Sequence, residues 1–414
     1  MTIQQVMVAA ALALQLTLAG AAGETRWNLG DLYPTPAAWS TAFAAASQRV
    51  QTLDTLREGA TTDAAALRHA LVTISDTQRD VLRLYAYASL SADEDLRNAT
   101  GQERRQQVTA LYGALEEKTA WTRPAILAAG DERVRGFIAA DPVLKARFDH
   151  ELDDILRSRP YTLNAEGEAL LAGFGPALSQ SRQVQSQLVD SELPRTTVTL
   201  ADGKTVELTV PGYESARQSR VRADRKLVFD GFFGSLKKLE GTLGANLAGS
   251  VLADNYQARA HHFGSSLEAA LFADAMPAAV YTQLVAQANA GLPTLHRYLK
   301  LRQRMLGIDG ELAYYDNYPP VVAPPAESFT YEHSKQIALA ALAPLGDEYL
   351  SLLKKGLNQA WVDVHPRPTK ASGGYMFGAA YDVHPYLLLN HNDDFQSLST
   401  LAHEWGHAVH TMLT

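Results

Sequence analysis

Apolar residues recur every three or four positions along most of this chain, which is the period of an α-helix with one buried face. Between about residue 36 and residue 191 one such segment follows another. Thr35-Pro36 and Asp141-Pro142 are typical helix starts, because a capping residue precedes a proline. The buried stripe is clearest at Val81, Leu82, Leu84, Tyr85 and Ala88. This pattern predicts a helical N-terminal domain over residues 23–195.

A short segment over residues 196–210 departs from the helical period. Its β-branched residues alternate with other residues on both sides of Asp202-Gly203, a dipeptide that favours a hairpin turn. Helical periodicity then resumes, with helices predicted over 224–252, 277–290 and 292–306. Aromatic, aliphatic and glycine residues between Trp361 and Asn390 indicate short strands. We therefore predict a domain boundary near residue 195 and a second domain over 196–414.

The first 22 residues differ in composition from the rest of the chain. Residues 6–18 are an apolar run, and Ala19-Gly20-Ala21 is typical of a signal-peptide cleavage site. No Lys or Arg precedes the run, which favours an ordinary N-terminal helix or a misplaced start codon instead. We predict a signal peptide over 1–22 and a periplasmic or exported protein if the leader is real, and a cytoplasmic protein otherwise. The run is short for a bilayer, so no membrane span is predicted.

Composition narrows the chemistry that the chain can support. It has 414 residues and no cysteine, which excludes disulfides, thiolate metal sites and cysteine catalysis. Histidine and carboxylate side chains are then the metal ligands that remain. The formal net charge of −8 gives no basic surface for nucleic acid or anionic lipid. Neither class of partner is predicted, and the sequence does not indicate an oligomeric state.

The most informative stretch is His403-Glu404-Trp405-Gly406-His407, which has the H-E-x-x-H pattern of zinc peptidases. Residues four apart on a helix share a face, so the two imidazoles can bind one zinc ion. Between them, Glu404 can take a proton from water that zinc activates and pass it to the leaving amine. Chance supplies roughly 0.02 such matches in a chain of this length and composition. A site for one Zn²⁺ is therefore predicted.

The context of the motif supports a helix. Asn392, Asp393 or Asp394 can cap its start. A buried stripe is predicted from the spacing of Phe395, Leu398, Leu401, Ala402, Trp405, Val409 and Met412. Gly406 is unfavourable inside a helix, by ~1 kcal/mol relative to Ala, so a packing or site requirement is expected there. His410 is interpreted as an exposed helical residue rather than a further ligand.

Several segments resemble the oligoendopeptidase F family, which belongs with thimet oligopeptidase among the zinc peptidases. The similarity is most specific just before the motif, and it extends from about residue 26 to the last residue. The segments that carry it are residues 27–34, 267–272, 301–307, 361–364, 370–375, 383–390 and 400–404. The chain resembles the N-terminal portion of the family, with its second domain truncated after the zinc helix.

The resemblance implies a mainly α-helical, zincin-like metallopeptidase with a deep channel for unfolded oligopeptides and a small β component near the active site. His403 and His407 match the first two zinc ligands of the family, and Glu404 matches its catalytic acid/base. An edge strand over about residues 374–381 is expected to pair with substrate, the alternative being a buried supporting hairpin. The candidate substrate-binding residues are Gly374, Tyr375, Phe377, Gly378, His384 and Tyr386.

The resemblance places the third zinc ligand on a later helix, beyond Thr414. Upstream residues that could replace it are Asp363, Asp382, His384, His391, Asp393 and Asp394. With two protein ligands zinc binds weakly, so little hydrolysis is expected from this 414-residue form. The predicted function is a zinc endopeptidase acting on oligopeptides. A non-catalytic peptide-binding protein is the main alternative, and an aminopeptidase or a purely structural helical protein is less favoured.

Overall fold

The computed structural model describes residues 25–164, 167, 168, 170, 171, 181, 184, 185, 188, 189, 193–322, 328–367 and 369–414. The described helices are α1 Pro36–Thr52, α2 Ala64–Glu94, α3 Ala99–Thr119, α4 Thr122–Ala129, α5 Asp131–Ala140, α6 Asp149–Arg157, α7 Val210–Ala216, α8 Arg222–Lys237, α9 Glu240–Ala260, α10 Ser266–Phe272, α11 Ala278–Met305, α12 Tyr331–Ala341, α13 Asp347–Leu357 and α14 Phe395–Leu413. The strands are β1 Thr197–Thr199, β2 Thr205–Glu207, β3 Val362–Asp363, β4 Tyr375–Phe377 and β5 Tyr386–Leu388. The mainly helical fold with a small β component is thus confirmed.

The leader predicted over residues 1–22 lies outside the described residues and stays a prediction. In the part of the chain that the structure describes, no helix has the length and apolar character needed to cross a membrane.

Helix starts follow the predicted capping chemistry. The hydroxyl of Thr35 accepts a hydrogen bond from the backbone N–H of Ala38 at 3.1 Å, and α1 begins at the next residue, Pro36. The carboxylate of Asp394 accepts from the N–H of Ser397 at 2.7 Å and begins α14. Such side chains satisfy N–H groups that have no partner within the helix. Of the three candidate caps for the motif helix, Asp394 is the one used.

Two helix boundaries differ from the prediction. Residues 224–252 fall in two helices, α8 and α9, because the chain turns at Leu239, whose N–H bonds to Leu236 O at 2.9 Å. Conversely, residues 277–290 and 292–306 fall in one helix, α11, with Pro293 inside it. Proline removes a single N–H donor, and the other hydrogen bonds of a 28-residue helix can continue past it. Apolar periodicity reports neither event.

The predicted hairpin is confirmed. β1 and β2 pair antiparallel, with Val198 opposite Val206. Gly203 of the connecting turn has φ +84°, a conformation that glycine adopts without steric cost. One face of the hairpin packs with Tyr213 of α7 and Val228 of α8 in a small apolar core. The second strand is shorter than predicted, since it ends at Glu207 and Val210 already begins α7.

The chain forms two compact units. One comprises Met1–Leu156 and Glu327–Thr414, of which 25–156 and 328–414 are described apart from residue 368; the other comprises Arg157–Ala326. These units do not coincide with the domains predicted over 23–195 and 196–414. The physical reason is a shared apolar core: Leu84 of α2 and Leu111 of α3 belong to the same buried cluster as Leu388 of β5. Segments distant in sequence thus fold as one unit.

A mixed three-stranded sheet lies in the first unit, in the order β3, β5, β4. β5 is fully buried and pairs parallel with β3 and antiparallel with β4, with Met376 opposite Leu387. β4 has one neighbouring strand and intermediate burial along its length. The edge strand expected within residues 374–381 is therefore confirmed as Tyr375–Phe377.

The motif helix α14 packs on this sheet and on α13. Leu401, Trp405 and Val409 are fully buried in a cluster that also contains Leu387 of β5. The indole of Trp405 lies so close to Gly356 of α13 that a Cβ there would be 2.1 Å from the ring. Because only glycine leaves this space, the helix is seated at a fixed depth. Phe395 departs from the predicted stripe, as the first helical residue is largely exposed.

Candidate active site

The structure brings His403 and His407 together on the exposed side of α14. Their Nε2 atoms lie 3.1 Å apart and their ring centroids 4.7 Å apart. Both residues are exposed, whereas Leu401 and Trp405 of the same helix are buried. The four-residue spacing that predicted convergence therefore does converge the two rings, on the side of the helix away from the core.

The histidine pair fits a zinc ion. Two nitrogens that bind one tetrahedral zinc at ~2.0 to 2.1 Å lie about 3.3 Å apart, close to the observed 3.1 Å. Within the described ranges, no group of three or more His, Asp and Glu side chains could hold a metal ion. The described residues could therefore supply two of the three protein ligands that a catalytic zinc site requires.

Glu404 lies beside the pair and is only 8% exposed. Its carboxylate makes no hydrogen bond or ion pair with any described residue. Burying an unpaired carboxylate costs stability, and proteins keep such groups mainly where they act chemically. This environment suits a residue that accepts and releases a proton, the role predicted for Glu404.

The six upstream residues weighed as a third ligand are engaged elsewhere in the first unit. Asp363 pairs with Arg367 and Lys370, Asp382 pairs with Arg83, and Asp394 caps α14. His391 contacts Ser334 and the backbone of Asp393, and His384 contacts Asp31. None of these residues joins His403 and His407 in a group that could hold a metal.

Two glycines set the distance between β4 and α14. A Cβ on Gly374 would lie 2.8 Å from Thr400 Cγ2, and a Cβ on Gly378 would lie 2.7 Å from Thr411 Cγ2. Both contacts are closer than real Cβ atoms allow, so the glycines permit this approach. Met376, between them, faces the same helix, since its sulfur lies 3.9 Å from Thr411 Oγ1. The edge strand therefore runs along α14 from Thr400 to Thr411.

The histidines lie between these contact points along the helix. An α-helix turns by about 100° per residue, so Thr400 and Thr411 point in nearly the same direction from the axis of α14. Measured around the axis from those threonines, His403 and His407 lie roughly 50° further away from the buried stripe. The two imidazoles therefore lie on a face of α14 adjacent to the one that β4 covers.

The outer edge of β4 presents free backbone groups. Leu387 and Leu389 donate their N–H groups to the β3 segment, at Trp361 O and Asp363 O. Backbone groups alternate along a strand, so Tyr386 and Leu388 face β4, where they pair with Phe377 and Tyr375. The N–H and C=O of Met376 then point away from the sheet. The backbone N–H and C=O groups of Gly374 and Gly378 point the same way as those of Met376, and they bond to no described residue.

The aromatic side chains of β4 lie on its opposite face, toward the N-terminal helices. The hydroxyl of Tyr375 donates a hydrogen bond to Asp93 Oδ2 at 2.7 Å. Burial and this carboxylate raise the pKa of Tyr375 far above its ordinary value. Phe377 stacks with Tyr85 of α2, with ring centroids 6.3 Å apart. Both residues thereby help to fix the strand that carries the candidate substrate-binding positions.

His384 and Tyr386 hold the N-terminal segment. The ring of His384 stacks on Trp361 with centroids 4.1 Å apart, and its Nε2 lies 3.1 Å from Asp31 Oδ2. Tyr386 is almost fully buried and donates its hydroxyl to Asn28 O at 3.0 Å. These contacts give the two residues a structural role. The prediction that they also touch substrate stays a prediction.

Of the two requirements expected at Gly406, packing was wrong, and a requirement of the site stays a prediction. A Cβ at this position meets no described atom within 4 Å, so the space beside it is open. His410 is exposed, as interpreted from the sequence.

Sequence reasoning missed three residues that shape the site. Thr400 and Thr411 contact the glycines that flank β4. Their spacing from the histidines on the same helix could have indicated that they lie near the site. Asp93 holds Tyr375 across 282 residues of sequence. No local pattern predicts that contact, because it depends on how α2 meets the sheet.

His391 makes the stability of this region sensitive to pH. It is buried below the start of α14, where its Nδ1 accepts from the N–H of Asp393 at 3.2 Å and its Nε2 lies 3.3 Å from Ser334 Oγ. Burial lowers the pKa of His391 below its ordinary value of 6.5. The folded protein therefore keeps this ring neutral, while the unfolded chain protonates it near pH 6.5.

We expect the free energy of unfolding to fall as the pH decreases below 6.5 toward the folded-state pKa. Urea unfolding of the natural chain and of His391→Gln at about pH 7.5 and about pH 5.5 checks this. The natural chain should lose more stability than the variant, whose side chain does not titrate. Equal losses in the two proteins would contradict the assignment to His391.

Known protein families match this chain in two segments. The sequence profile of Peptidase family M3 matches residues 215–414, and that of Oligopeptidase F matches residues 126–194. Oligopeptidase PepF of Bacillus subtilis is 34% identical over 392 residues, which cover 94% of this chain. The chain belongs to the oligoendopeptidase F family.

Other relatives agree with this family. Group B oligopeptidase PepB of Streptococcus agalactiae is 30% identical over 389 residues. A crystal structure from Chlamydophila abortus superposes with a TM-score of 0.76 at 28% identity and covers 93% of this chain. Oligoendopeptidase-F from Enterococcus faecium superposes with a TM-score of 0.63 at 27% identity and covers 77% of this chain.

The chain is shorter than these oligoendopeptidase F relatives. It spans 58% of the length of PepF and 64% of the length of PepB. It likewise covers 64% of the Chlamydophila abortus chain and 60% of the Enterococcus faecium chain.

Proposed function

We propose that this protein is a zinc-dependent endopeptidase that hydrolyses internal bonds of oligopeptides. The observation that carries the proposal is the convergence of His403 and His407, with Nε2 atoms 3.1 Å apart, on the helix along which the edge strand β4 runs. A metal site next to an unpaired strand edge suits a substrate that is itself an extended backbone. The membership of the chain in a family of oligopeptidases supports the same substrate class.

The peptide binds as an additional strand along β4. The N–H and C=O groups of Gly374, Met376 and Gly378 are available at the outer edge, and they hydrogen-bond to the substrate backbone. Main-chain bonds do not distinguish side chains, so many sequences are accepted. β4 runs along α14 from Thr400 to Thr411, so a peptide bound along β4 extends past the positions of both histidines on the helix.

His403 and His407 would hold the zinc ion through Nε2. When bound, zinc supplies a Lewis acid that activates water and polarises the peptide carbonyl. Glu404 takes a proton from the attacking water and delivers it to the amine that leaves when the C–N bond breaks. Glu404 is only 8% exposed as a residue, and its carboxylate has no hydrogen-bond partner among the described residues, so it is available to carry this proton.

The test is a cleavage assay on an oligopeptide with both termini blocked and a quenched fluorophore. We expect slow cleavage at an internal bond, because the described residues supply two zinc ligands, with loss of that activity to background after zinc is removed with a chelator and recovery when zinc is restored. Cleavage that survives chelation would contradict the metal mechanism. Release of residues from free termini only would indicate an exopeptidase. Binding of zinc and peptide without cleavage would favour a peptide-binding protein.

A further inference from the structure

The end of helix α2 contacts the edge strand β4 through a charged network. Asp93 Oδ2 accepts the hydroxyl of Tyr375 at 2.7 Å, and Asp93 Oδ1 accepts Arg105 Nη2 from α3 at 2.6 Å. The side chains of Asp93 and Arg105 are 16% and 31% exposed. A charge-assisted bond of this kind is stronger than one between neutral groups, so Asp93 is held firmly before it meets Tyr375.

Backbone contacts fix the same junction. Asp93 O accepts the N–H of Ala371 at 2.9 Å, just before β4. On the far side, the amide of Asn390 donates to Gly373 O at 2.8 Å. The residues that precede β4 are thus hydrogen-bonded both to α2 and to Asn390, which follows β5. Asp93 engages this region through both its backbone and its side chain.

β4 needs such support because its own hydrogen bonding is limited. It has three residues and one neighbouring strand, and only Tyr375 and Phe377 direct backbone groups toward that neighbour. Gly374 and Gly378 flank it, and glycine adds conformational freedom. The groups that face outward belong to Gly374, Met376 and Gly378. Small rotations of the strand would change their direction.

We propose that Asp93, held by Arg105, is a positioning residue that fixes the peptide-binding edge of β4 through Tyr375. This inference rests on the proposed function, because it assigns a role in binding the peptide backbone. Asp93 acts through Tyr375 and does not itself touch the substrate. The N-terminal helices thereby contribute to substrate affinity.

The test measures the affinity of the full chain for a blocked oligopeptide, with Glu404→Gln present in every protein so that no peptide is cut. Tyr375→Phe removes the hydroxyl and keeps the ring. We expect its Kd to weaken by about threefold to tenfold, the effect of one hydrogen bond. Asp93→Asn should weaken binding similarly, because it replaces one of the two acceptor oxygens, which bond separately to Tyr375 and Arg105, with an NH₂ donor.

Tyr85→Phe is the matched control. Tyr85 packs on Phe377 of the same strand, and its hydroxyl bonds to no described residue. Its peptide Kd should equal that of the Glu404→Gln parent. Zinc content and the far-ultraviolet spectrum, measured for every variant, show that each remains folded. A purely structural contact would lower the unfolding midpoint of Tyr375→Phe and leave the Kd unchanged, which would overturn the inference.

The two proposals fail in different ways. If the parent binds peptide and Tyr375→Phe binds it equally well, the positioning role of Asp93 is wrong and the proposed function stands. If the parent binds no peptide and the natural chain cuts none, the proposed function is wrong and the inference falls with it.

Discussion

Glu404→Gln should lower kcat for oligopeptide hydrolysis by about 10³-fold while leaving the zinc content unchanged, since general acid–base catalysis typically contributes 10²- to 10⁴-fold. Glutamine keeps the size of the side chain and removes its ability to take a proton. Glu404 is only 8% exposed as a residue, and its carboxylate has no hydrogen-bond partner among the described residues.

The measurement compares three variants of the motif helix for cleavage and for bound zinc. His403→Ala should lose both, because one of the two converging nitrogens is removed. His410→Ala is the matched control: it is an exposed histidine on the same helix, and it should keep both. Full activity in Glu404→Gln would show that another group handles the proton, and the proposed mechanism would be wrong.

Asp363→Ala should destabilise the first unit by about 3 to 5 kcal/mol, the usual cost of removing one partner of a buried ion pair. The carboxylate is fully buried and bonds to both guanidinium ends of Arg367 and to Lys370 Nζ at 2.9 Å. Burial lowers the pKa of Lys370, and Asp363 opposes that shift. Without the carboxylate, a buried ammonium would remain with carbonyl acceptors and no counter-charge.

Tryptophan fluorescence during urea unfolding measures this loss in the first unit. All five tryptophans belong to that unit: Trp27, Trp39, Trp121, Trp361 and Trp405. The double variant Asp363→Ala/Lys370→Met should recover part of the stability, because it removes the unpaired charge as well. Asp382→Ala is the control, since its half-exposed pair with Arg83 at 3.4 Å is worth about 0 to 1 kcal/mol. A loss below about 1 kcal/mol for Asp363→Ala would contradict the expectation.

The location of Asp363 explains why this stability bears on the site. It lies in β3, and its carbonyl accepts the N–H of Leu389 beyond β5. β5 in turn carries β4 on its other side. The buried charges therefore support the central strand against which both the edge strand and α14 are placed. Losing them is expected to disturb peptide binding without any contact to the substrate.

The prediction of the site was most accurate for features that depend on interactions between residues close together in sequence. His403 and His407 converge because a helix brings residues four apart to one face, and this holds for any core that the helix packs on. The cap at Asp394 and the buried positions Leu401, Trp405 and Val409 follow from the same local rules. Errors occurred where local rules leave a choice, as at Pro293, where α11 continues.

The domain prediction illustrates the limit of local sequence patterns. A change from helical period to hairpin suggested a boundary near residue 195, yet the compact units are divided at Leu156 and Glu327. The units are decided by which apolar faces share a core. Leu84, Leu111 and Leu388 pack in one cluster although the last is distant from the others in sequence. Periodicity shows that a face is buried but does not identify its partner.

The sequence by itself determined the helical character of this protein, its family, and the three motif residues with the helix that displays them, because these depend on contacts within a few residues. Only the tertiary structure decided that β4 lies along α14 from Thr400 to Thr411 with its outer edge free, and that Asp93 holds Tyr375. These contacts join segments far apart in the chain. Their geometry is set by the simultaneous packing of whole helices and strands, which no local pattern contains.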